Sequence, residues 1–339
     1  MPLHISQMSR EIFVLNTTGA GAHDARRPGR KRIDPMPLPD LSEHDVYRRF
    51  PDVEEVSEPL RGGQKLVFAC RTGESRFALK VMLSDLSADE LNSGGPESPP
   101  TDEVFERARR EVAILERCDC DSLPKAGPIQ LSRFEHKGQP LIAFSEEYIL
   151  GKNLNDVLSD EGRLANEATI QLGEDLNSAV EALWEQRKIH RDIKPQNIMR
   201  RNENGRFVLL DPGIAFDVDD VSLTGTGLIW HTKGYLAPEL SNPNRKRDAD
   251  CRSDFFLIGT VLYLASTGEH PFITHPSEDR GRVISNIINL DPPPPHDRCP
   301  DVSQQLSDLI MRLLAKRRHG RFRNSEMLRT ALAACRRNS

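Results

Sequence analysis

From about residue 52 the apolar positions of the chain fall on a period of two. In Lys65 to Cys70, the residues Leu66, Phe68 and Cys70 alternate with Val67 and Ala69; in Phe77 to Met82, Phe77, Leu79 and Val81 alternate with Ala78, Lys80 and Met82. Such alternation sends successive side chains to opposite faces, so both segments are predicted as strands, with Lys80 on the face opposite Phe77 and Leu79. The period then lengthens. Phe105, Ala108, Val112 and Leu115 recur at spacings of three and four, which predicts a helix with Glu111 on the flank of its apolar stripe. Strand-like sequence returns around Leu141 to Ile149. Beyond residue 155 helical spacing dominates: Leu172, Leu176, Ala179 and Leu183 form one stripe, and Leu306, Leu309, Ile310, Leu313 and Leu314 another. Phe255 to Ala265 is apolar nearly all round, which predicts a helix buried on every side, since a membrane span needs roughly 20 such residues. A β-rich part of the chain precedes an α-rich part.

Three stretches lack this periodicity. Residues 1–45 combine the basic run Arg26, Arg27, Arg30, Lys31 and Arg32 with Pro35, Pro37 and Pro39, and are expected to form a mobile arm. Segment 84–103, with Gly94, Gly95, Pro96, Pro99 and Pro100, reads as a loop insertion, and Asp291 to Pro300 as another loop. Composition narrows the class further. The 51 acidic and 46 basic side chains leave a formal charge of −5, so no polycation is present to coat nucleic acid. With 37% hydrophobic and 29% charged residues the chain is too apolar for a disordered acidic tail and too polar for a bilayer. Six cysteines without a CxxC pair, and an N-terminus without a basic region followed by a long apolar run, point to a reduced, cytoplasmic protein. Cys118 and Cys120 lack a second pair at zinc-ligand spacing and read as ordinary thiols.

Where the β-rich part gives way to the α-rich part the sequence becomes specific. It contains His190-Arg191-Asp192-Ile193-Lys194-Pro195-Gln196-Asn197, and 14 residues after Asn197 the turn Asp211-Pro212-Gly213 ends the apolar segment Phe207 to Leu210. Ala237-Pro238-Glu239 begins 26 residues after Asp211, and Lys80 sits in Ala78-Leu79-Lys80-Val81. In order and interval these motifs, spread over residues 52–336, resemble the catalytic loop, metal-binding turn, activation-segment end and strand lysine of the eukaryotic-like serine/threonine protein kinases. The resemblance implies an α+β, two-lobed kinase fold: a small β-rich N-lobe with one main helix over residues 52–150 and a larger α-helical C-lobe over 151–336.

It also implies roles. Phosphoryl transfer moves a group carrying several negative charges, so the protein chiefly positions and neutralises. By resemblance, Lys80 holds the α- and β-phosphates of ATP and Glu111 holds Lys80. Asn197 and Asp211 supply hard oxygen ligands for Mg²⁺, Asp192 accepts the proton of the attacking hydroxyl, and Lys194 meets the γ-phosphoryl group. Val67, Ala78 and Met199 fall where the family sandwiches adenine, and Glu147 to Ile149 where it hydrogen-bonds the purine edge; Glu146 falls at the back of that pocket. Asp254 corresponds to the aspartate that anchors the catalytic loop, Glu239 is expected to pair with Arg321, and His190 reads as a packed structural residue. Arg191 corresponds to an arginine that binds a phosphate on the activation segment, for which Ser222, Thr224 and Thr226 offer hydroxyls, while Thr232 corresponds to the threonine that contacts the catalytic aspartate. ATP and a protein with a serine or threonine acceptor are the implied partners.

Two departures qualify the resemblance. The glycine-rich loop reads Leu60-Arg61-Gly62-Gly63-Gln64-Lys65, with Gly62 and Gly63 its flexible pair and leucine and lysine at the first and third glycine positions. Pro212 replaces the usual phenylalanine; proline disfavours the helical region for the residue before it, which predicts an extended Asp211 and a turn that flips less readily. These departures keep open a pseudokinase acting as a nucleotide-gated interaction module, and a small-molecule kinase of the same fold stays open because it shares an aspartate and an asparagine at similar spacing.

Overall fold

In a computed structural model, residues 38–62, 65–86, 102–212, 216–217, 233–241 and 249–337 are described. Most of the expected arm and most of the 84–103 insertion lie outside them. The chain divides into two units, Met1–Arg109 with Ala126–Tyr148, and Arg110–Lys125 with Ile149–Ser339.

The first unit is built on one antiparallel sheet. Strands β1 (Glu55–Val56), β2 (Leu60–Gly62), β3 (Lys65–Thr72), β4 (Ser75–Leu83), β5 (Ser132–His136) and β6 (Gln139–Glu147) take the order β1-β3-β4-β6-β5, with β2 also paired to β3. Register follows from the alternation. Phe68 faces Leu79, Cys70 faces Phe77 and Val81 faces Ala143, so all six share one side of the sheet, where they are buried with Leu66 and Leu141. Leu41, Val46 and Val53 close that side. Val46 belongs to helix α1 (Glu43–Arg49), whose start is fixed by a reciprocal cap between the side chains of Ser42 and Asp45 and each other's backbone N–H. Leu41 is buried in this core, with Leu38 packed against it, so among the described residues packing begins before residue 45.

Helix α2 (Glu103–Arg117) begins in the first unit and ends in the second. Buried Asp102 caps it, accepting from Phe105 N at 2.9 Å and from Ser84 Oγ at 2.7 Å. Its buried stripe is Val104, Ala108, Glu111, Ile114 and Leu115 rather than the expected Phe105, Ala108, Val112 and Leu115. The helix is turned by about one position, with Phe105 half-buried beneath the Arg133 guanidinium, 3.5 Å from its ring centroid. Glu111 therefore lies within the stripe and not on its flank.

The second unit is mainly helical: α3 (Leu154–Glu161), α4 (Asn166–Glu185), α5 (Cys251–Thr267), α6 (Arg280–Asn289), α7 (Pro295–Arg298), α8 (Gln304–Leu313) and α9 (Ser325–Arg337). The single turn α7 falls inside the stretch read as a loop. The stripe of α4 and that of α8 are buried as expected, and in α5 every residue from Ser253 to Tyr263 is buried, because the helix is surrounded by its own unit's core. Full burial of one Leu or Phe stabilises by about 1.5–3 kcal/mol, so this cluster supplies most of the unit's cohesion. Against it lie the sheet β10 (Phe207–Leu209), β9 (Ile198–Arg201), β7 (Gly151–Asn153) and the pair β8 (Lys188–Ile189) with β11 (Phe216–Asp217). Gly151 is required where β7 meets β9: a Cβ there would stand 1.9 Å from the carbonyl oxygen of Arg200. Among the described residues no helix is long and apolar enough to cross a membrane.

Candidate active site

In the first unit the site residues occupy the sheet face opposite the apolar one. The pairings Val67↔Lys80, Ala78↔Glu146 and Lys80↔Phe144 put Val67, Ala78, Lys80, Phe144 and Glu146 together on that face, as the period of two demands. Lys80 is 3% exposed. Its Nζ stands 2.7 Å from Glu146 Oε1 and 5.5 Å from the centre of the Phe144 ring. Glu146 is equally buried, so the two form an ion pair with little access to water. Glu147 ends β6, and Gly62 of β2 pairs with Lys65 of β3, with Gly63 outside the described residues.

In the second unit the loop over residues 190–197 is tied down at several points. Asp254, fully buried at the start of α5, accepts the backbone N–H groups of His190 at 2.7 Å and Arg191 at 2.9 Å, the anchoring expected from the sequence. Burial raises the pKa of the Asp254 carboxyl, while His190, Arg191 and those two N–H groups act in the opposite direction. His190 is buried and structural, as read from the sequence. Its Nδ1 accepts from Asp192 N at 3.3 Å, so Nε2 carries the proton and donates to the carbonyl oxygen of Leu210 at 3.0 Å. Arg191 takes a positive φ of 66°, a strained choice for a non-glycine residue that the two hydrogen bonds to Asp254 enforce. Desolvation lowers its guanidinium pKa to about 10, leaving it a cation at neutral pH.

These anchors present Asp192 in a defined way. Its Oδ2 accepts from Asn197 Nδ2 at 2.8 Å and pairs with Lys194 Nζ at 2.7 Å, and Asn197 Nδ2 also donates to the Asp192 carbonyl oxygen at 2.9 Å. The amide nitrogen of Asn197 is thus committed, and its oxygen would be the atom to serve a cation. A short 3₁₀ turn, Pro195–Asn197, leads into β9, whose Ile198 pairs with Leu209 of β10. The hairpin therefore sets Asn197 beside Leu210, whose N–H donates to the Asn197 carbonyl oxygen at 2.7 Å, with Asp211 next in the chain. An amide oxygen and a carboxylate on neighbouring backbone positions suit Mg²⁺, which takes few protein ligands and completes its shell with water and phosphate oxygens. These residues fit the ion.

The expectation of an extended Asp211 is corrected by the structure. Its φ is +60°, in the left-handed region. The rule for residues before proline acts locally, whereas here both polar backbone groups of Leu210 are already held, the N–H by Asn197 and the carbonyl by His190. The chain turns immediately beyond them, at an expense of about 1–3 kcal/mol in backbone strain met by the surrounding packing.

Glu111, Ile149 and Met199 are buried in the second unit. Ser222, Thr224, Thr226 and Thr232 lie outside the described residues. Glu239 and Arg321 form the expected buried pair, with two parallel contacts of 2.8 and 2.9 Å. His270 belongs to no motif in the sequence. Its ring meets Tyr235 edge-on at 5.1 Å, and it stands so close to Gly234 (φ +94°) that a Cβ there would be 2.7 Å from its Nε2. Its Nδ1 accepts from Phe272 N at 3.1 Å and Ile273 N at 3.2 Å. Burial lowers its pKa from 6.5 to about 4, only partly opposed by the Gly234 backbone. Above pH 6.5 the ring is neutral folded or unfolded; between pH 6.5 and 4 only the unfolded chain takes up the proton, so stability falls as pH falls through this window. The expected loss is on the order of 2 kcal/mol, allowing for the ring's partial exposure. Urea midpoints from pH 7 to 4.5 should fall more steeply for the parent protein than for His270→Gln, and parallel curves would refute this.

Comparison with known proteins agrees with the geometry. Residues 61–332 match the family described as protein kinase domain. The serine/threonine-protein kinase PknB of Mycolicibacterium smegmatis is 33% identical over 257 residues, 75% of this chain and 38% of that protein. Pkn3 of Myxococcus xanthus is 30% identical over 284 residues, 80% of this chain and 48% of that protein. PknA of Mycobacterium tuberculosis is 30% identical over 262 residues, 77% of this chain and 55% of that protein. The chain spans about half or less of the length of these relatives. With the family matched over most of the sequence, the chain belongs to the protein kinases, among the eukaryotic-like serine/threonine kinases.

Proposed function

We propose that the chain transfers the γ-phosphoryl group of ATP to serine or threonine hydroxyls of protein substrates in a Mg²⁺-dependent reaction. The observation that carries this reading is the Asp192 carboxylate, fixed by Asn197 and Lys194 in a loop that Asp254 anchors. Asp192 accepts the proton of the substrate hydroxyl while the hydroxyl oxygen forms a bond to the γ-phosphorus and the bond from the γ-phosphorus to the ADP oxygen breaks. Lys194, paired with the same carboxylate, places a positive charge where the transferred group builds up negative charge. Lys80 binds the α- and β-phosphates; Asn197 and Asp211 hold the metal. When bound, Mg²⁺ supplies neutralisation of phosphate charge. Val67, Ala78 and Met199 provide apolar surface for adenine, with the Glu147 to Ile149 backbone at its edge, and Glu111 is the helix carboxylate assigned to Lys80. Six free cysteines support a reducing, cytoplasmic setting.

The test is transfer of labelled γ-phosphate from ATP to a generic protein substrate with and without magnesium. A protein that binds nucleotide and transfers nothing would be the pseudokinase alternative, and one that phosphorylates only small molecules the other.

The same reading includes self-modification. A phosphate on Ser222, Thr224 or Thr226 adds about −1.5 to −2 charges and would pair with the Arg191 cation. Mass spectrometry after incubation with Mg²⁺ and ATP should find at least one of the three modified; a fully active preparation with none modified would remove the idea.

A further inference from the structure

The Lys80 ammonium already has an anionic partner on its own sheet. Ala78 stands opposite Glu146 and Lys80 opposite Phe144, so Glu146 is the diagonal neighbour of Lys80 on one face, with Nζ to Oε1 at 2.7 Å. The side chains are 3% and 4% exposed. A buried pair of this kind contributes little more stability than two apolar side chains of the same size, so its main consequence is for the chemistry of the ammonium. We propose that Glu146 is an affinity-setting residue of the nucleotide site: its carboxylate and the phosphates of an adenine nucleotide contend for the same Lys80 ammonium. The inference rests on the kinase reading, which gives Lys80 its phosphate.

Charge and geometry give the sign. A phosphate oxygen approaching Lys80 meets an ammonium whose charge is largely neutralised by a carboxylate in contact with it, and it approaches that carboxylate as a like charge. Both effects are several-fold larger in a water-poor environment than in bulk water. The Phe144 ring flanks the ammonium and limits the positions from which it can serve two anions at once. Glu146 therefore lowers affinity for the phosphate part of the ligand and leaves the adenosine part alone. The Glu146→Gln variant keeps the size of the side chain and an oxygen for Lys80 to donate to, and removes the charge while exchanging the second oxygen for an NH2 group.

Calorimetric titrations of the full chain with ADP and with adenosine, both without magnesium, separate the contributions. Glu146→Gln should bind ADP on the order of tenfold more tightly than the parent, with adenosine affinity unchanged within about twofold. Unchanged or weaker ADP binding by the variant would overturn the proposal and leave the kinase reading standing. Equal tightening for ADP and adenosine would also overturn it, since that marks a change of pocket shape. Failure of the parent to bind either ligand would overturn the kinase reading itself. If the variant does not fold, a structure of the parent with ADP decides: Lys80 Nζ is expected on a phosphate oxygen and out of hydrogen-bond range of Glu146. An ammonium still bonded to Glu146, with or without a phosphate contact, would overturn the proposal.

Discussion

Asp192→Asn is expected to lower the rate of phosphoryl transfer to a protein substrate by about 10²–10⁴ while leaving ADP affinity and thermal stability close to those of the parent. The size of the loss reflects the reaction. The transferred group passes through a loose transition state in which positioning and charge neutralisation do most of the work, so removing the proton acceptor abolishes one contribution and not all of them. The selectivity reflects the local structure. Asp192 Oδ2 accepts from both Asn197 Nδ2 and Lys194 Nζ. An asparagine of the same shape can still offer one oxygen to those donors, and the backbone of the loop is held independently by Asp254 and by the Asp192 carbonyl contact to Asn197. The loop should therefore keep its form and lose only its base. Steady-state kinetics with saturating ATP, next to an ADP titration and a melting curve, check this. Transfer within tenfold of the parent would show that Asp192 is not the base. A parallel collapse of ADP binding and melting temperature would show that the residue acts through structure instead.

How much of this was legible in the sequence depends on how far apart the interacting residues lie. Contiguous motifs carried their own order: the apolar segment Phe207 to Leu210 that leads into Asp211 was legible, whereas its pairing with β9 in a hairpin was not. The face of Lys80 was legible because strand alternation leaves only two choices. Its partner was not, since that depends on the register of β4 against β6, which pairs Ala78 with Glu146 across more than 60 residues of chain. By resemblance Glu146 falls at the back of a pocket; that the Lys80 ammonium lies within its reach follows only from this register. Helix α2 was found but rotated by a position, because Phe105 gains more from contact with Arg133 than a simple count of apolar spacing credits. Asp211 shows the opposite limit: a sound local rule about proline was overruled by hydrogen bonds that hold Leu210 from two separate segments. His270 is a histidine without a motif; only the fold brings it against Gly234 and Tyr235.

Arg321→Ala is expected to produce the largest loss of stability, about 3–5 kcal/mol, since it leaves the buried carboxylate of Glu239 without its ionic partner. At about 2–4 °C per kcal/mol for a unit of this size, melting should fall by about 6–20 °C. All five guanidinium protons of Arg321 are used. Nε donates to the carbonyl oxygen of Ala315 at 2.8 Å; Nη1 to Glu239 Oε1 at 2.8 Å and to the Arg252 carbonyl at 2.7 Å; and Nη2 to Glu239 Oε2 at 2.9 Å and to the Lys316 carbonyl at 3.2 Å. Glu239 also accepts from Ser253 Oγ at 2.7 Å. One side chain thereby joins the 3₁₀ turn Pro238–Ser241, the first turn of α5 and the segment following α8. Arg321→Lys should recover only part of the loss, because an ammonium has three donors and cannot reproduce the planar fork. The double variant Arg321→Leu with Glu239→Leu should melt higher than Arg321→Ala alone, since it removes the orphaned charge along with its partner. A melting temperature for Arg321→Ala within 2 °C of the parent would mean that the pair is solvated in solution. A double variant as unstable as the sum of its singles would mean that Arg321 acts through its carbonyl contacts and not through Glu239.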